Sequence, residues 1–354
     1  MSSRALRSRP VRLWSLGAED PGTVRVAAMA GVPAVLREKG FDPAPVLAEV
    51  GLAPGTFDDP ELHMSYRTAG LLLQRCAELT GCQHFGLLAG QHATASSLGL
   101  LGELIQSSPT VQSALDSLIA HVHLQTRGGV PTHAVEGENA SFGYAIYLRN
   151  MPGTAQAYDL VAAFEFNILK AVCGPRWGPV EVSFAHGAPK DVRPYRRLFG
   201  CRLRFDADRT ELSFNRHWLA QPPMASDVER HRQLQREILA QESLAPDALV
   251  DHISAALRQM VLNGRATEGL LCDLLSVPRR TLHRMLAAQG TGFRKLLEDV
   301  RYEVARQLLI DTDMSTAELA ASLDYADASA FNRAFRRWTD SPPAAWRARA
   351  RSVD

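Results

Sequence analysis

Apolar residues recur at helical spacing along most of the chain, and the stretches where they alternate instead mark a second texture. Val32, Val35 and Leu36, then Val46, Leu47 and Val50, predict two short amphipathic helices parted by Gly40 and Asp42-Pro43. Glycine and proline punctuate 51–60, which reads as loop. Ala69, Leu72, Leu73, Cys76 and Leu79 place a helix over 66–80, and further helices follow over 86–93 and 98–107. Pro109 opens another, to about Thr126, with Val111, Ala114, Leu115, Leu118 and Val122 on one stripe. Then Phe142, Tyr144, Ile146 and Leu148 alternate, and 132–148 reads as a β-hairpin turning at Glu136-Gly137-Glu138-Asn139. A helix over 159–172, a strand through Val180, Val182 and Phe184, and a short helix over 195–199 come next. Leu203 to Phe205 and Leu212 to Phe214 suggest a second hairpin around Asp206-Ala207-Asp208. The pattern is that of an α+β domain over 23–225. A disordered tail is expected over 1–22 and a polar, charged helical connector over 226–246.

From 247 to 354 the pattern is all-α. Asp247 to Val261 carries Leu249, Ile253, Leu257 and Met260 on one face. Thr267 suits the cap of a helix ending near Leu275, a turn falls at Ser276-Val277, and Pro278 suits the first position of the next helix, which stops at Gly290. Helix, short turn, helix is the helix-turn-helix arrangement. Its second helix, 278–288, would bury Leu282, Met285 and Leu286 and leave Arg280, His283 and Arg284 outside. A longer helix from Phe293 to about Leu309, with Leu296, Leu297, Val300, Val304 and Leu308 on its stripe, spans about 25 Å. The pattern then repeats. Ser315-Thr316-Ala317-Glu318 is a capping box, a turn falls at Asp324-Tyr325, and a helix over 327–338 would bury Ala330, Phe331, Ala334 and Phe335. Ser329, Asn332, Arg333, Arg336 and Arg337 are left to face out, and Pro342-Pro343 precedes a last short helix with Trp346 and Arg347. Two such units on a stiff linker helix could set two reading helices in successive major grooves, about 34 Å apart.

Composition adjusts this picture only slightly. A length of 354 residues suits two or three domains, and 46% hydrophobic with 22% charged residues is ordinary for a globular chain. A net charge of +1 does not identify a nucleic-acid binder, so a DNA site must come from local charge. Residues 247–354 hold 15 Lys/Arg against 14 Asp/Glu, yet from Asn332 onward six arginines face only Asp340 and Asp354. The five cysteines are odd in number and form no C-x-x-C, which argues for reduced, mostly buried thiols. No apolar run approaches the roughly 18 residues of a membrane helix, and no secretory signal follows Arg4, Arg7, Arg9 and Arg12. A cytoplasmic protein is expected. His121 and His123 stand two apart, which on a helix does not share a face, so no metal site is expected. G-x-S-x-G, H-E-x-x-H, P-loop and G-x-G-x-x-G motifs are absent, so no catalytic residue, no cofactor and no enzyme activity are expected.

The run from Leu319 to Arg347 resembles the second helix-turn-helix of the AraC/XylS family of transcriptional regulators. Phe331, Arg333, Phe335, Arg336, Pro343, Trp346 and Arg347 match that family's pattern. Arg280, Thr281, Leu282 and Arg284 match its first unit, and Arg301 with Ala305 to Leu309 its linker helix. The chain departs from the family at Ser276 and Asp324, where a turn glycine is common, and at Ala326, which leaves Asp327 to cap the second reading helix. Leu98 to Gly102, Ser107-Ser108-Pro109 to Leu124, and Phe199-Gly200-Cys201 with Phe205 resemble the α+β sensor of the ornithine-utilisation regulator subgroup. The resemblance implies a DNA-binding regulator, more often an activator, that answers to a small-molecule effector.

The residues expected on double-stranded DNA are therefore Arg280, His283, Arg284, Ser329, Asn332 and Arg333, with Arg336 and Arg337 mainly on phosphate. Tyr144, Tyr147, Arg149 and Trp177 are the candidates for the effector. RNA polymerase is an expected partner, a homodimer is compatible, and membrane is not expected. Two rival readings are an enzyme in the N-terminal domain with a DNA-binding tail, and a helical domain that binds protein instead of DNA.

Overall fold

The computed structural model describes residues 22–146, 151–243, 250, 253–254, 256–258, 260–261, 266–274, 279–311 and 314–351. Most of the expected tail, the turn at Ser276-Val277, and Tyr147 and Arg149 lie outside the described residues. The first helices are α1 (Gly31–Glu38), α2 (Pro43–Glu49), α3 (Tyr66–Thr80), α4 (Phe85–Gln91), α5 (Leu100–Ser107) and α6 (Val111–His121). After them come α7 (Thr154–Cys173), α8 (Arg193–Phe199), α9 (Val228–Ser243), α10 (Glu268–Leu274) and α11 (Arg279–Ala288). The last are α12 (Phe293–Asp311), α13 (Thr316–Ser322), α14 (Ala328–Thr339) and α15 (Pro343–Arg351). The strands are β1 (Thr23–Arg25), β2 (His63–Ser65), β3 (Thr126–Arg127), β4 (Gly129–Glu136), β5 (Asn139–Ile146), β6 (Glu181–Ser183), β7 (Arg202–Arg204) and β8 (Thr210–Asn215). They form one three-stranded sheet, β2-β1-β3, and one five-stranded sheet, β4-β5-β8-β6-β7. Packing divides the chain into two compact units, one from residues within 1–102, 125–129 and 148–212, the other from 103–124, 130–147 and 213–354.

In the first unit β1 pairs antiparallel with both neighbours, Val24 opposite Met64 on one side and Thr126 on the other. The helix α3 begins and ends where the sequence predicts. Ser65 accepts the Thr68 N–H at 3.0 Å, and Gly81 closes the helix at φ 63°, in the left-handed region that glycine enters without steric cost. The helix α4 meets α7 backbone to backbone. A Cβ at Gly86 would sit 1.9 Å from the Gln156 carbonyl oxygen, and one at Gly90 2.2 Å from that of Leu160, so only glycine fits at either position. Around α7 the side chains of Phe85, Trp177, Phe184 and Tyr195 are fully buried. Buried Asp159 ties this core together, accepting from the Tyr195 hydroxyl at 2.6 Å and from His186 Nε2 at 3.0 Å. Burial alone would lower the His186 imidazole, but the hydrogen bond and charge of Asp159 more than offset it and hold it above its ordinary value.

The second hairpin expected from the sequence does not form. β7 instead pairs parallel with β6, Val182 opposite Leu203, with α8 as the crossover, and β6 separates β7 from β8. The cause lies in the connecting residues. The Asp206 and Ala207 amides bond the carbonyls of His186 and Phe184, at 2.9 and 3.0 Å, so the chain passes over the end of β6 rather than turning back. Asp206 adopts φ 54° at that passage.

In the second unit β4 and β5 form the expected hairpin, with Gly137 at φ 57° in its turn. The helix α6 stops at His121, short of the expected Thr126, because residues 122–124 tighten into a 3-10 turn. The predicted connector is α9, seated on the end of α5. Its entry is fixed by Asp227 N–H to Ser107 O at 3.0 Å and Ser226 Oγ to Ser108 O at 2.8 Å, and its buried His231 lies 3.1 Å from Leu104 O. The C-terminal helices close on an apolar core. It contains Ile253, Leu257, Leu271, Leu282, Leu286, Val300, Ala305, Leu309, Leu319, Leu323, Phe331 and Phe335. No helix among the described residues is long and apolar enough to cross a membrane.

Candidate nucleic-acid interface

Two helix pairs present the side chains expected on DNA. In the first, the Leu270 N–H reaches Thr267 Oγ1 at 3.3 Å as α10 begins, and α11 buries Leu282 and Leu286. Met285 flanks that stripe and is half-buried rather than buried. Arg280, His283 and Arg284 all stay exposed on the opposite side. In the second, the capping box closes α13: the Ser315 N–H donates to Glu318 at 2.6 Å and the Glu318 N–H to Ser315 Oγ at 3.2 Å. Asp327 caps α14 by accepting from the Ala330 N–H at 2.7 Å, taking the role left open by Ala326. Phe331, Ala334 and Phe335 are buried, and Ala330, at the edge of their stripe, is half-buried. Ser329, Arg333, Arg336 and Arg337 are exposed and Asn332 is half-buried.

The linker α12 runs 19 residues, about 28 Å, and buries Leu296, Val300, Val304, Ala305 and Leu309. Two matched arginines act here as ties within the fold. Arg301 Nη2 donates at 3.3 Å to both the backbone oxygen and the carboxylate of Asp324, and its guanidinium lies 5.1 Å from the Tyr325 ring centre. It thereby holds the second turn, where Asp324 takes φ 60° in place of a glycine. Arg347 donates to Leu309 O at 2.9 Å and to Met314 O, satisfying carbonyls where α12 ends. Trp346 packs edge-on to Phe335, ring centres 5.8 Å apart.

The cations of the reading helices divide into two sets. Among the described residues the guanidinium groups of Arg280, Arg284, Arg333 and Arg336 make no hydrogen bond or ion pair with the protein. Arg279, His283 and Arg337 are held, Arg279 Nε at 4.0 Å from Glu268. His283 Nε2 lies 2.8 Å from Glu268 on α10. Glu298 on α12 accepts from Arg337 Nε at 3.1 Å, from Arg337 Nη2, and from Trp338 Nε1 at 2.9 Å. Hydrogen bonds from Trp338 and Arg337 keep this carboxyl below its ordinary range. Sequence reasoning missed both glutamates, because Glu298 and Arg337 are 39 positions apart and no local pattern links them.

The paired helix-turn-helix geometry, its capped reading helices and its unpartnered arginines agree with family comparisons. Residues 271–349 match a helix-turn-helix domain, and residues 40–223, more than half the chain, match the family described as the arabinose-binding domain of AraC transcription regulator, N-terminal. The chain belongs to the AraC family of transcription regulators. It is similar to the HTH-type transcriptional regulator VirS of Mycobacterium tuberculosis, 26% identical over 92% of this chain and 96% of that protein. It is also similar to the ornithine utilization regulator of Pseudomonas aeruginosa, 26% identical over 88% of this chain and 91% of that one. The solved structure of the transcriptional regulator CdpR from Pseudomonas aeruginosa aligns over 88% of this chain at 22% identity, with a TM-score of 0.44. The chain is accordingly a DNA-binding transcriptional regulator with a small-molecule-binding domain.

Of the effector candidates within the described residues, Tyr144 on β5 is buried in one compact unit and Trp177 in the other. Trp177 packs on Phe166, ring centres 5.7 Å apart, as part of the core. His121 and His123 are both buried, with rings 6.4 Å apart. Cys76, Cys82, Cys173 and Cys272 are buried, and burial pushes the Cys76 and Cys173 thiols up to about 12.

Proposed function

We propose that this AraC-family member is a cytoplasmic, effector-responsive activator that reads double-stranded DNA with two helices in successive major grooves. The first reading helix spans 278–288 and uses Arg280, His283 and Arg284. The second spans 327–338 and uses Ser329, Asn332 and Arg333 on base edges, with Arg336 and Arg337 mainly on phosphates. The observation that carries this reading is the pair of exposed, unpartnered arginine faces on α11 and α14. The proposed organisation is an effector-sensing domain over 23–225, a connector over 226–246 and a DNA-binding domain over 247–354. A small molecule in the first domain, near Tyr144, Tyr147, Arg149 and Trp177, shifts the balance between two states of the second. Contact of α6 with α10 within one compact unit supports such a route. RNA polymerase and a second copy of the chain are the proposed protein partners.

The test is a fluorescence-anisotropy titration of the full chain with duplexes from upstream of its own gene, at two salt concentrations. Arg333→Ala should cost about 1–3 kcal/mol of binding and relax specificity at its base, while wild-type affinity falls with salt. Equal binding by the wild type and the variant, or affinity indifferent to salt, would contradict the reading.

A further inference from the structure

The one histidine on the two reading helices, His283, is held by an acid from outside them. Glu268 opens α10, and Leu271 of that helix shares a fully buried core with Leu282 and Leu286 of α11, which fixes the two helices together. From there the Glu268 carboxylate meets His283 Nε2 at 2.8 Å, with Arg279 Nε 4.0 Å away on its other side. The Glu268 side chain is 26% exposed and that of His283 60%, so the acid is the sheltered partner and the ring stays at the surface. Arg280 and Arg284, on the same outward side of α11, have no such tie among the described residues.

A carboxylate only accepts, so the contact with Glu268 requires the proton on Nε2. In the neutral ring this leaves Nδ1 with a bare lone pair, and among the described residues Nδ1 has no hydrogen-bond partner. An imidazole free to change tautomer offers either a donor or an acceptor at that atom. One tied to Glu268 offers an acceptor. In the major groove this distinction selects between bases. Adenine N6 and cytosine N4 are amino donors, whereas guanine O6 and thymine O4 are carbonyl acceptors at the corresponding places. A transition, A to G or C to T, therefore exchanges a donor for an acceptor at one spot. An exposed pair of this kind adds little to the stability of the fold, and it strengthens when a duplex displaces the water around it.

We propose that Glu268 is a positioning residue for DNA sequence: by fixing the tautomer of His283 it makes Nδ1 an acceptor that reads an amino group, adenine N6 or cytosine N4, in the major groove. This rests on the reading of α11 as a recognition helix and adds the kind of base edge that His283 takes. The guanidinium groups of Arg280 and Arg284 can only donate, and suit guanine O6 and N7 or phosphate. The first unit thus sets one acceptor among its donors, and Glu268, which touches no base, keeps it an acceptor.

The test is selection of bound duplexes from a randomised library by the full chain, wild type beside Glu268→Gln, His283→Ala and the double variant, followed by anisotropy titration of the selected site and its single transitions. The position read by His283 is the one that His283→Ala relaxes. The wild type should hold it as adenine or cytosine, and its transition to guanine or thymine should weaken binding about five- to tenfold, the cost of one hydrogen bond left unmet. Glu268→Gln, whose amide can accept from the ring or donate to it, should cut that discrimination to about twofold or less. The double variant should discriminate no worse than His283→Ala, because the two residues act as one unit. Preferences set by Arg333 should persist in all three variants, which shows that the fold is intact. Loss of the Glu268 charge alone would raise affinity for every sequence alike and leave the discrimination in place. That result, a wild-type preference for guanine or thymine at this position, or no position relaxed by His283→Ala would overturn the assignment and leave the regulator reading intact. No selected sequence with the wild type would contradict the regulator reading itself, and this assignment with it.

Discussion

Two glutamates, one in each compact unit, face opposite demands. Glu298 on α12 sits at the surface and accepts three N–H bonds from Arg337 and Trp338. Glu165 on α7 is buried, with its Oε2 completely covered and unpartnered. One carboxyl is held below its ordinary value and the other is pushed well above it. In the helical DNA-binding segment Glu268, Glu298 and Asp324 are paired, while among the described residues the guanidinium groups of Arg280, Arg284, Arg333 and Arg336 are not, which suits a polyanionic partner outside. The first unit instead buries an acid in its interior, where loss of solvation disfavours the ionised form.

The sharpest way to break this contrast is to unsatisfy the sensor where it is satisfied. Asp159→Ala removes the acceptor for Tyr195 and His186 in a fully buried setting, and should destabilise that unit by about 3–5 kcal/mol. Urea unfolding followed by tryptophan fluorescence reads this. A loss under about 1 kcal/mol would mean that the network is slack. At the surface the effect should be far smaller. Glu298→Gln should change stability by about 1 kcal/mol or less, since exposed ion pairs contribute little. Its folded carboxyl titrates below the ordinary value, so any stability it adds is present above the usual carboxylate range and fades as pH falls through it. The same change weakens the hold on Arg337, because a neutral amide oxygen replaces the carboxylate, and removes a negative charge near the reading face. It should tighten binding to random-sequence DNA and steepen the salt dependence by about one phosphate equivalent. An unchanged salt slope would show that Arg337 does not reach the backbone.

The two units also differ in how much of each was legible in the sequence. The helix-turn-helix pairs were readable because their signals are local. Thr267, the Ser315–Glu318 box and Asp327 each act within a few residues of the helix they start. The helix α3 was readable for the same reason, from Ser65 to Gly81. The three-stranded sheet was missed, because it joins residues 23–25, 63–65 and 126–127 in strands of only two or three residues. The parallel pairing of β6 with β7 was missed because adjacent alternating runs favour a hairpin, and the Asp206 and Ala207 amides that forbid it bond the far end of β6. Glu165 did leave a trace, as a charge set among Ala162, Leu169 and Val172 on one helical face. Glu268 and Glu298 left none, since their partners arrive from other helices.

Nucleotide-level footprinting of the full chain on its own upstream region tests the central claim most directly. The account predicts two protected major-groove segments about one helical turn, 10–10.5 base pairs, apart on one face of the duplex. Arg280→Ala should erase one segment and Arg333→Ala the other. A single protected segment, or two segments lost together with either substitution, would contradict the reading of two independent recognition helices.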